Sequence, residues 1–405
     1  MTSYRNADPR PPIMAGAPPP PEWRVPRADW DRAPWNRWSF QHVRELLPTV
    51  PVRRAARPIG LASDAQPVDD ITFDAVSGTP MTVAQLLEET YTDGFLVALG
   101  GKVVTEQYFN GMRPETLHLL QSVSKSVTAT VAGILVGKGL LDPLAPVTTY
   151  LPELEATAWR GATLRHVLDM TSGVRFVEEY TDPDSDIGRT DIACGWKPAP
   201  TGQGMFPASI WEQILGLTVS EAEHGARFSY RSIETDVLAH AMQRASGKPL
   251  AQLVSDTLWS RIGTEEDGCF TVDSAGYALA DGGYNATLRD MARFALLHLN
   301  NGQCGAEQVV PAEWIHDIRH GDHGLFDAYG RDYFPNGRYR NQFWIEDASR
   351  TTVLCLGVFG QMVFIAPEYD MIAVKFSTWP DFTNGDHTKN TIRALHAIAA
   401  ALGPA

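Results

Sequence analysis

An uncharged run between Lys125 and Lys138 is the feature that most restricts how this chain can fold. Apolar residues recur along it at the spacing of a helix, with small residues between them. The residues that form this pattern are Val127, Ala129, Val131, Ala132, Gly133, Ile134 and Leu135. A membrane-spanning helix needs about 20 apolar residues, more than this run contains. The pattern therefore predicts a core helix over residues 122–139, buried on most of its sides.

A serine and a lysine three positions apart, Ser122 and Lys125, stand where this helix begins. The unpaired N–H groups and the positive dipole end of a first helical turn surround a side-chain oxygen, and they favour an oxyanion there. The Lys125 ammonium lies on nearly the same face and can reach the hydroxyl, so the two can act as nucleophile and activator. The alternative is a helix-capping Ser122 with Lys125 extended to solvent, which is the commoner meaning of an isolated Ser-x-x-Lys.

Length and composition narrow the class of protein. At roughly 150 residues per domain, 405 residues predict two or three domains or one large fold with an insertion. A net charge of -14 argues against nucleic-acid and anionic-membrane partners, which need clustered Lys and Arg, and favours a neutral or cationic small substrate. The four cysteines have no Cys-x-x-Cys spacing and are expected to be reduced thiols. The N-terminus shows no apolar signal segment, so we expect a cytoplasmic protein.

The first 33 residues are rich in proline and have no apolar period, so they predict an extended N-terminal arm (residues 1–33). Several aromatic residues follow at short intervals: Trp23, Trp30, Trp35, Trp38 and Phe40. We expect them to anchor the arm on the globular body. A polyproline ligand for a partner domain is the alternative.

The rest of the chain predicts an α/β (α+β) architecture. Strands are predicted at residues 94–100, 102–109, 270–272, 352–359, 362–366 and 371–377, and helices at 83–91, 163–170, 207–217, 233–245, 250–262, 288–299 and 390–402. These elements favour an antiparallel sheet flanked by helices, formed by residues 34–141 and 262–405, with an inserted all-α domain at 142–261. Residues 178–204 have no period and predict a long loop beside a site.

Two further motifs can carry chemistry. Tyr230 precedes a predicted helix, and its phenol could relay a proton between serine and leaving group if Lys125 lowers its pKa. The stretch 356–361 places glycines in a strand, where backbone can approach a ligand closely and donate an N–H to an oxyanion. A packing role for Tyr230 and a hairpin turn at 360–361 are the alternatives.

Ser-x-x-Lys, Tyr-x-Ser and a glycine-bearing strand, in this order around a helical insertion, resemble the penicillin-recognising serine hydrolases. Longer stretches, Leu119 to Ser126, Val167 to Met170, Thr235 to Leu238 and Phe359 to Gln361, look most like the 6-aminohexanoate-dimer (nylon-oligomer) hydrolases of that family. The resemblance covers residues 91–405 and implies a class C β-lactamase-like fold. It also implies amidase and esterase activity, with no metal and no cofactor.

The resemblance assigns roles to residues of this chain. Ser122 is the nucleophile, Lys125 its partner and Tyr230 the proton relay. The oxyanion hole combines the N–H of Ser122 with that of Val358 or Gln361. Substrate-binding positions are Tyr180, Asp191, Trp196, Asp281 and Trp344. Most acids of the 178–191 stretch, including Glu178, are expected to be solvated; Asp191 is the one expected to contact a substrate ammonium.

Two departures from the family pattern bear on substrate. Val358-Phe359-Gly360 replaces the Lys-Thr-Gly of β-lactamases, which removes the cation that grips a β-lactam carboxylate. Asp281 stands where the nylon-oligomer hydrolases have asparagine, which can change substrate preference. We therefore expect a serine hydrolase acting on a small-molecule linear amide or ester. A carboxylesterase and a non-catalytic binding protein on the same scaffold are the alternatives, and a homodimer is one open possibility for its assembly.

Overall fold

The computed structural model describes residues 5–6, 11–200, 206–326 and 328–403. The strands are β1 (Thr49–Val52), β2 (Thr72–Asp74), β3 (Pro80–Thr82), β4 (Thr92–Leu99), β5 (Lys102–Tyr108), β6 (His118–Leu119), β7 (Gly268–Thr271), β8 (Tyr284–Ala286), β9 (Gln303–Cys304), β10 (Glu307–Gln308), β11 (Arg338–Arg340), β12 (Phe343–Ile345), β13 (Val353–Gly357), β14 (Gln361–Ala366) and β15 (Met371–Ser377). The α-helices are α1 (Asn36–Ser39), α2 (Val43–Leu46), α3 (Val83–Glu89), α4 (Val123–Gly137), α5 (Leu164–Leu168), α6 (Asp186–Ala193), α7 (Ile210–Gly216), α8 (Ile233–Ser246), α9 (Leu250–Thr257), α10 (Leu288–Leu299), α11 (Ala312–His320), α12 (Ala328–Tyr333) and α13 (Gly385–Leu402).

The main sheet of the described chain has seven strands in the order β11-β12-β13-β14-β15-β4-β5. Every neighbouring pair is antiparallel, and the first hairpin, β4–β5, joins the late strands through β15. All residues of β14 and β15 are buried, because helices cover both faces. The apolar stretches 362–366 and 371–374 within them are what strands buried on both sides require. The predicted antiparallel sheet flanked by helices is confirmed.

A smaller sheet supports the start of the core helix. Its strand order is β1-β7-β8-β6, so the strand predicted at 270–272 belongs here and not to the main sheet. Beyond the last strand, β6, the Leu120 N–H donates to the Tyr284 carbonyl at 2.9 Å. This sheet therefore fixes the backbone that leads into Ser122.

The predicted core helix is α4. Its residues from Val123 to Leu135 are buried, and it packs against α8. The small residues serve close packing, since a Cβ on Gly133 would lie 2.5 Å from the Trp314 ring. No helix among the described residues has both the length and the apolar character that crossing a membrane requires. All four cysteines are free thiols, as predicted.

The predicted loop over residues 178–204 is partly wrong, because it contains the helix α6. The Ser185 side chain caps this helix by accepting from the Gly188 N–H at 3.0 Å. Its buried face consists of Ile187, Thr190 and Ala193, which is too weakly apolar to give a helical period in the sequence. Residues 201–204 of this prediction lie outside the described residues.

Between residues 142 and 261 the described chain forms helices α5 to α9 and short 3-10 turns. Two isolated antiparallel bridges, Pro146–Thr163 and Val174–Ser220, are the β pairings found among the described residues of this stretch. The boundaries of a separate inserted domain stay a prediction.

The part of the N-terminal arm that is described packs on the body. Trp30 and Phe40 are 0% exposed and Trp35 is 6% exposed, which confirms their anchoring role, whereas Trp23 and Trp38 are half-buried. The Asn36 amide donates to the Trp379 carbonyl at 2.8 Å. Residues 1–4 and 7–10 of the predicted arm lie outside the described residues.

Candidate active site

Ser122 and Lys125 meet at the N-terminus of α4. The Lys125 Nζ donates to the Ser122 Oγ at 2.8 Å, and Lys125 is 2% exposed. The Ser122 side chain makes no capping hydrogen bond. The alternative of a capping serine beside a solvent-extended lysine therefore does not describe this pair.

The Lys125 ammonium is held by acidic groups. Its Nζ also donates to the Asp281 carbonyl at 2.8 Å and lies 3.9 Å from the Asp281 carboxylate. Burial lowers the pKa of Lys125, but the charges of Tyr230 and of nearby carboxylates outweigh burial, so its pKa is raised. Lys125 therefore carries its proton in the resting protein and donates to Ser122.

Tyr230 lies beside this pair, just before α8. The Lys125 Nζ is 5.3 Å from the centre of its ring, which stacks on Trp344 at 5.6 Å. Burial raises the pKa of Tyr230, and the Lys125 charge and hydrogen bonds with Ser122 and Lys125 only partly offset it. Lys125 therefore lowers the pKa of Tyr230, as the proposed relay requires, but desolvation of the phenolate is the larger effect and the net shift is upward.

Backbone geometry brings β13 against the loop that precedes Ser122. A Cβ on Gly357 would lie 2.7 Å from the Leu120 carbonyl oxygen, so glycine is required for this approach. The following residue, Val358, lines the cavities around Ser122. Gln121, immediately before Ser122, has a φ of 49°, a left-handed conformation that non-glycine residues rarely adopt and that occurs at functional sites.

The two candidates for the second oxyanion donor differ in position. Val358 follows β13 in the turn that faces Ser122, whereas Gln361 begins β14 and is 1% exposed. The Gln361 side-chain amide donates to the Ser377 carbonyl at 2.6 Å. Of the two, Val358 alone is among the described residues that line the cavities. This position favours Val358, and its oxyanion role stays a prediction.

Two cavities meet at Ser122. The first, which we call the apolar cavity, is lined by Tyr333, Phe334, Trp344, Leu356 and Trp379, among others. The second, the polar cavity, is lined by Asp31, Asp191, Trp196, Ser232 and Asp281, among others. Both include Ser122, Tyr180, Val358 and Phe382. A bound molecule could therefore extend from the serine in two directions, one of which leads to the carboxyl groups of Asp31, Asp191 and Asp281.

The predicted substrate-binding aromatic residues line these cavities. The Tyr180 ring stacks on Phe382 at 5.2 Å. Trp196 is 6% exposed, and its Nε1 donates to the Thr271 Oγ1 at 3.0 Å. Trp344 forms the wall behind Tyr230. The structure thus brings all three of these residues to the site.

Asp281 does more than line the polar cavity, since it is also the neighbour of Lys125. Burial raises its pKa, and the Lys125 charge opposes that shift. Next to it lies Asp236, which is 2% exposed and accepts from the Ala280 N–H at 2.9 Å. Burial and then the Asp281 charge raise the pKa of Asp236 well above its usual range. The stretch containing Asp236 supported the family resemblance, but its role beside Asp281 was not predicted.

Glu178 is the other acid that was missed, since we expected it to be solvated. It is half-buried, and its carboxylate accepts from the Ser232 N–H at 2.9 Å and from the Tyr180 hydroxyl at 2.7 Å. Burial raises its pKa, and Lys125 opposes that shift. Glu178 therefore ties Tyr180 to the start of α8. No local sequence signal distinguishes it from its exposed neighbours.

Asp191 reaches the polar cavity with a cation already beside it. The Lys197 Nζ lies 3.1 Å from the Asp191 Oδ2 and 3.2 Å from the Asp31 Oδ2. A substrate ammonium at Asp191 would therefore meet a carboxylate that is shared with Lys197. Its predicted contact with substrate stays a prediction.

Comparisons with known proteins agree with this geometry. The family model described as Beta-lactamase matches residues 82–398. The 6-aminohexanoate-dimer hydrolase of Paenarthrobacter ureafaciens is 37% identical over 355 residues, which cover 87% of this chain and 88% of that protein. Esterase EstB of Burkholderia gladioli is 28% identical over 176 residues, 42% of each chain.

A solved structure described as "Putative 6-aminohexanoate-dimer hydrolase from Bacillus anthracis" has a TM-score of 0.86 and 29% identity, over 95% of this chain and 100% of that one. The extent of these matches shows that the antiparallel sheet and its helices form the beta-lactamase/transpeptidase-like fold. The chain belongs to the beta-lactamase family and is a homologue of the 6-aminohexanoate-dimer hydrolase.

Proposed function

We propose that this beta-lactamase-family hydrolase cleaves linear amides of the 6-aminohexanoate-oligomer type through an acyl-enzyme on Ser122, and that it also cleaves short esters. The observation that carries the proposal is the position of Ser122, which is 2.8 Å from the Lys125 Nζ and lines both cavities. A linear molecule with methylene segments and a polar amino end matches two cavities that meet at one nucleophile, one of which carries carboxyl groups.

The chemistry follows from the groups around Ser122. The Ser122 oxygen attacks the amide carbon and its proton moves to Tyr230, as Tyr230 gives its own phenolic proton to the leaving nitrogen and the Lys125 ammonium stabilises the negative charge that develops between them. The C–N bond breaks, the amine leaves with that proton, and an ester remains on Ser122. Water then attacks this ester, the Ser122 oxygen regains a proton, and the carboxylic acid product leaves. The N–H groups of Ser122 and Val358 would stabilise the oxyanion in both steps.

A carboxylesterase is the second candidate. The apolar cavity supports it, since Phe334, Trp344 and Trp379 can enclose a short acyl or alkoxy chain. The similarity to Esterase EstB over part of the chain agrees with it. A binding protein without catalysis has less support, because a buried lysine that bonds to a serine beside a tyrosine is not required for binding alone.

Poor activity on β-lactams is part of the same proposal. Val358 offers no cation to a substrate carboxylate at the edge of β13. The polar cavity carries the carboxyl groups of Asp31, Asp191 and Asp281, which disfavour an anionic ligand. We expect turnover of penicillins to be far slower than turnover of linear amides.

The test is a substrate panel with the wild-type protein and the Ser122→Ala variant. The panel contains the linear dimer of 6-aminohexanoate, short-chain p-nitrophenyl esters and benzylpenicillin, with acylation followed by intact-protein mass. We expect turnover of the dimer and the esters and an acyl adduct that Ser122→Ala lacks. Efficient turnover of benzylpenicillin, or an inert dimer beside rapid ester cleavage, would overturn the amide proposal. Activity that survives in Ser122→Ala would overturn the acyl-enzyme.

A further inference from the structure

A short piece of the N-terminal arm, residues 27–32, lies against the polar cavity. The Arg27 Nη1 donates to the Trp196 carbonyl at 2.7 Å. The Arg32 Nη2 donates to the Tyr180 carbonyl at 3.3 Å, and the Arg32 guanidinium lies 4.0 Å from the centre of the Phe382 ring. These contacts fix two walls of the cavity. The segment precedes the region that matches the beta-lactamase family model, which begins at residue 82.

Asp31, in the middle of this segment, contributes its own side chain to the cavity wall. It is 3% exposed and lines the same cavity as Ser122. Its Oδ2 lies 3.2 Å from the Lys197 Nζ. Its Oδ1 has no hydrogen-bond partner among the described residues, and the Arg32 Nε is 3.9 Å away, beyond hydrogen-bond distance. A buried carboxylate oxygen left without a donor is costly, so this oxygen is a vacant acceptor.

Asp31 and Asp191 share the Lys197 ammonium, which lies 3.2 Å from Asp31 and 3.1 Å from Asp191. The two acids differ in burial, since the Asp31 side chain is 4% exposed and the Asp191 side chain is 25% exposed. Asp31 is therefore the member of the pair whose second oxygen is buried without a donor among the described residues.

We propose that Asp31 is a substrate-binding residue, whose free Oδ1 accepts a hydrogen bond from an N–H donor at the amino end of a linear substrate in the polar cavity. The proposal rests on the proposed function for the identity of that substrate. The donor is an ammonium or an amide N–H, and either group would donate a hydrogen bond to the same Asp31 oxygen. Lys197 contacts the Asp31 Oδ2, so the Oδ1 is the oxygen left for this contact.

The experiment compares Asp31→Asn with wild type on three substrates. These are the linear 6-aminohexanoate dimer, its N-acetylated form and p-nitrophenyl acetate, which has no N–H donor to offer Asp31. We expect KM for the dimer to rise about tenfold, the size of effect that losing a charge-assisted contact gives, while ester kinetics stay within about twofold. A smaller effect on the acetylated dimer identifies an ammonium contact, and an equal effect identifies an amide N–H contact.

Asp29→Asn is the matched control, since Asp29 is an exposed acid two positions away. It should leave all three substrates unchanged. Loss of activity on the ester and the dimer together in Asp31→Asn would show that Asp31 only supports the fold and would overturn the proposal. An unchanged KM for both dimers would overturn it as well. A thermal melt of each variant separates folding defects from binding defects.

Calorimetry separates this proposal from the proposed function. The dimer is titrated into Ser122→Ala and into the Ser122→Ala, Asp31→Asn double variant, neither of which needs to turn over. We expect Kd to be about tenfold weaker in the double variant. Equal Kd values would overturn the Asp31 contact even if the wild type hydrolyses the dimer. A weaker Kd in the double variant would support the contact even if the wild type does not hydrolyse the dimer.

Discussion

The positions of the protons around Ser122 decide how this residue becomes a nucleophile. The pKa of Lys125 is raised by the acidic groups near it against the effect of burial, and the pKa of Tyr230 is raised by burial. Both side chains therefore hold their protons near neutral pH. They lie within one hydrogen-bonded group with Ser122, so a proton lost from either is shared by the pair. Tyr230 is thereby suited to deliver a proton to a leaving group.

This role predicts a substrate-dependent effect of Tyr230→Phe. An amide nitrogen must be protonated to leave, whereas a p-nitrophenolate leaves without a proton, so kcat for the amide should fall at least tenfold more than kcat for the ester. Steady-state kinetics on both substrates give the comparison. Tyr339→Phe removes a hydroxyl from the ring that packs edge-on against Tyr230 at 6.2 Å, and it should leave the ratio unchanged. Equal losses on amide and ester would contradict a proton-relay role.

Among the secondary-structure elements, the contact between the end of β13 and the loop before α4 shapes the site. An alanine Cβ at position 357 would lie 2.7 Å from the Leu120 carbonyl oxygen and 3.1 Å from the Gln121 Cβ. Both neighbours belong to the backbone turn that positions Ser122. The strand or the turn must move to admit a methyl group. That movement would separate Val358 from Ser122.

We therefore expect Gly357→Ala to lower kcat by about 10- to 100-fold, because misplacing an oxyanion donor by a fraction of an ångström to 1 Å has that effect. KM should change less than kcat. The control is Gly216→Ala at the end of α7, where a Cβ would meet no atom within 4 Å. Kinetics on a p-nitrophenyl ester, with a thermal melt for each variant, make the test. If Gly357→Ala keeps the wild-type kcat, catalysis does not require the close approach of β13 to the turn before Ser122.

The elements also show which parts of the fold are readable from sequence. Helix α4 and strands β13 to β15 were predicted because α4 has apolar residues at helical spacing and each strand contains a short apolar stretch, and these patterns are visible in the local sequence. The two- and three-residue strands β6 and β8 were missed, since such short segments have no measurable period. Helix α6 was missed because packing, and not apolar character, decides its buried face.

The presence or absence of a local sequence pattern also separates the site residues that were predicted from those that were missed. Ser122 and Lys125 are three positions apart on one helix, so local spacing predicts their contact, which is 2.8 Å in the structure. Asp31 and Glu178 come from distant segments, and their environments are created by tertiary packing. In the sequence, such acids cannot be distinguished from acidic residues that are exposed to solvent. Burial alone makes them part of the site.

For the whole molecule, helix α1, which follows the N-terminal arm, is fastened to the sheet by a buried ion pair. The Arg37 Nη1 lies 2.8 Å from the Asp93 Oδ1, and both side chains are almost fully buried. The Asp93 Oδ2 also accepts from the Thr378 hydroxyl at 3.0 Å and contacts the His118 Nε2 at 3.1 Å. The network joins α1, β4, β6 and the residue that follows β15, so the chain is fixed to the sheet a few residues after Asp31.

Global unfolding also releases a buried neutral histidine, His298 of α10, which contacts the Thr130 Oγ1 of α4 at 3.0 Å. Burial, with a contribution from the Arg319 charge, lowers the pKa of His298 from 6.5 to about 3. Between these pKa values the unfolded chain binds one more proton than the folded protein. The free energy of unfolding contributed by this group is therefore complete above pH 6.5 and falls by roughly 1.4 kcal/mol per pH unit below it.

We predict that His298→Gln reduces the acid sensitivity of the fold. Between pH 7.5 and 5.5, the free energy of unfolding should fall by about 1 kcal/mol less in His298→Gln than in wild type, because glutamine has no proton to bind on unfolding. Urea unfolding followed by circular dichroism at the two pH values gives both differences. His316→Gln replaces an exposed histidine on α11 and should reproduce the wild-type fall. A fall in His298→Gln as large as in wild type would mean that His298 takes up its proton without unfolding, and that other groups set the acid limit of this protein.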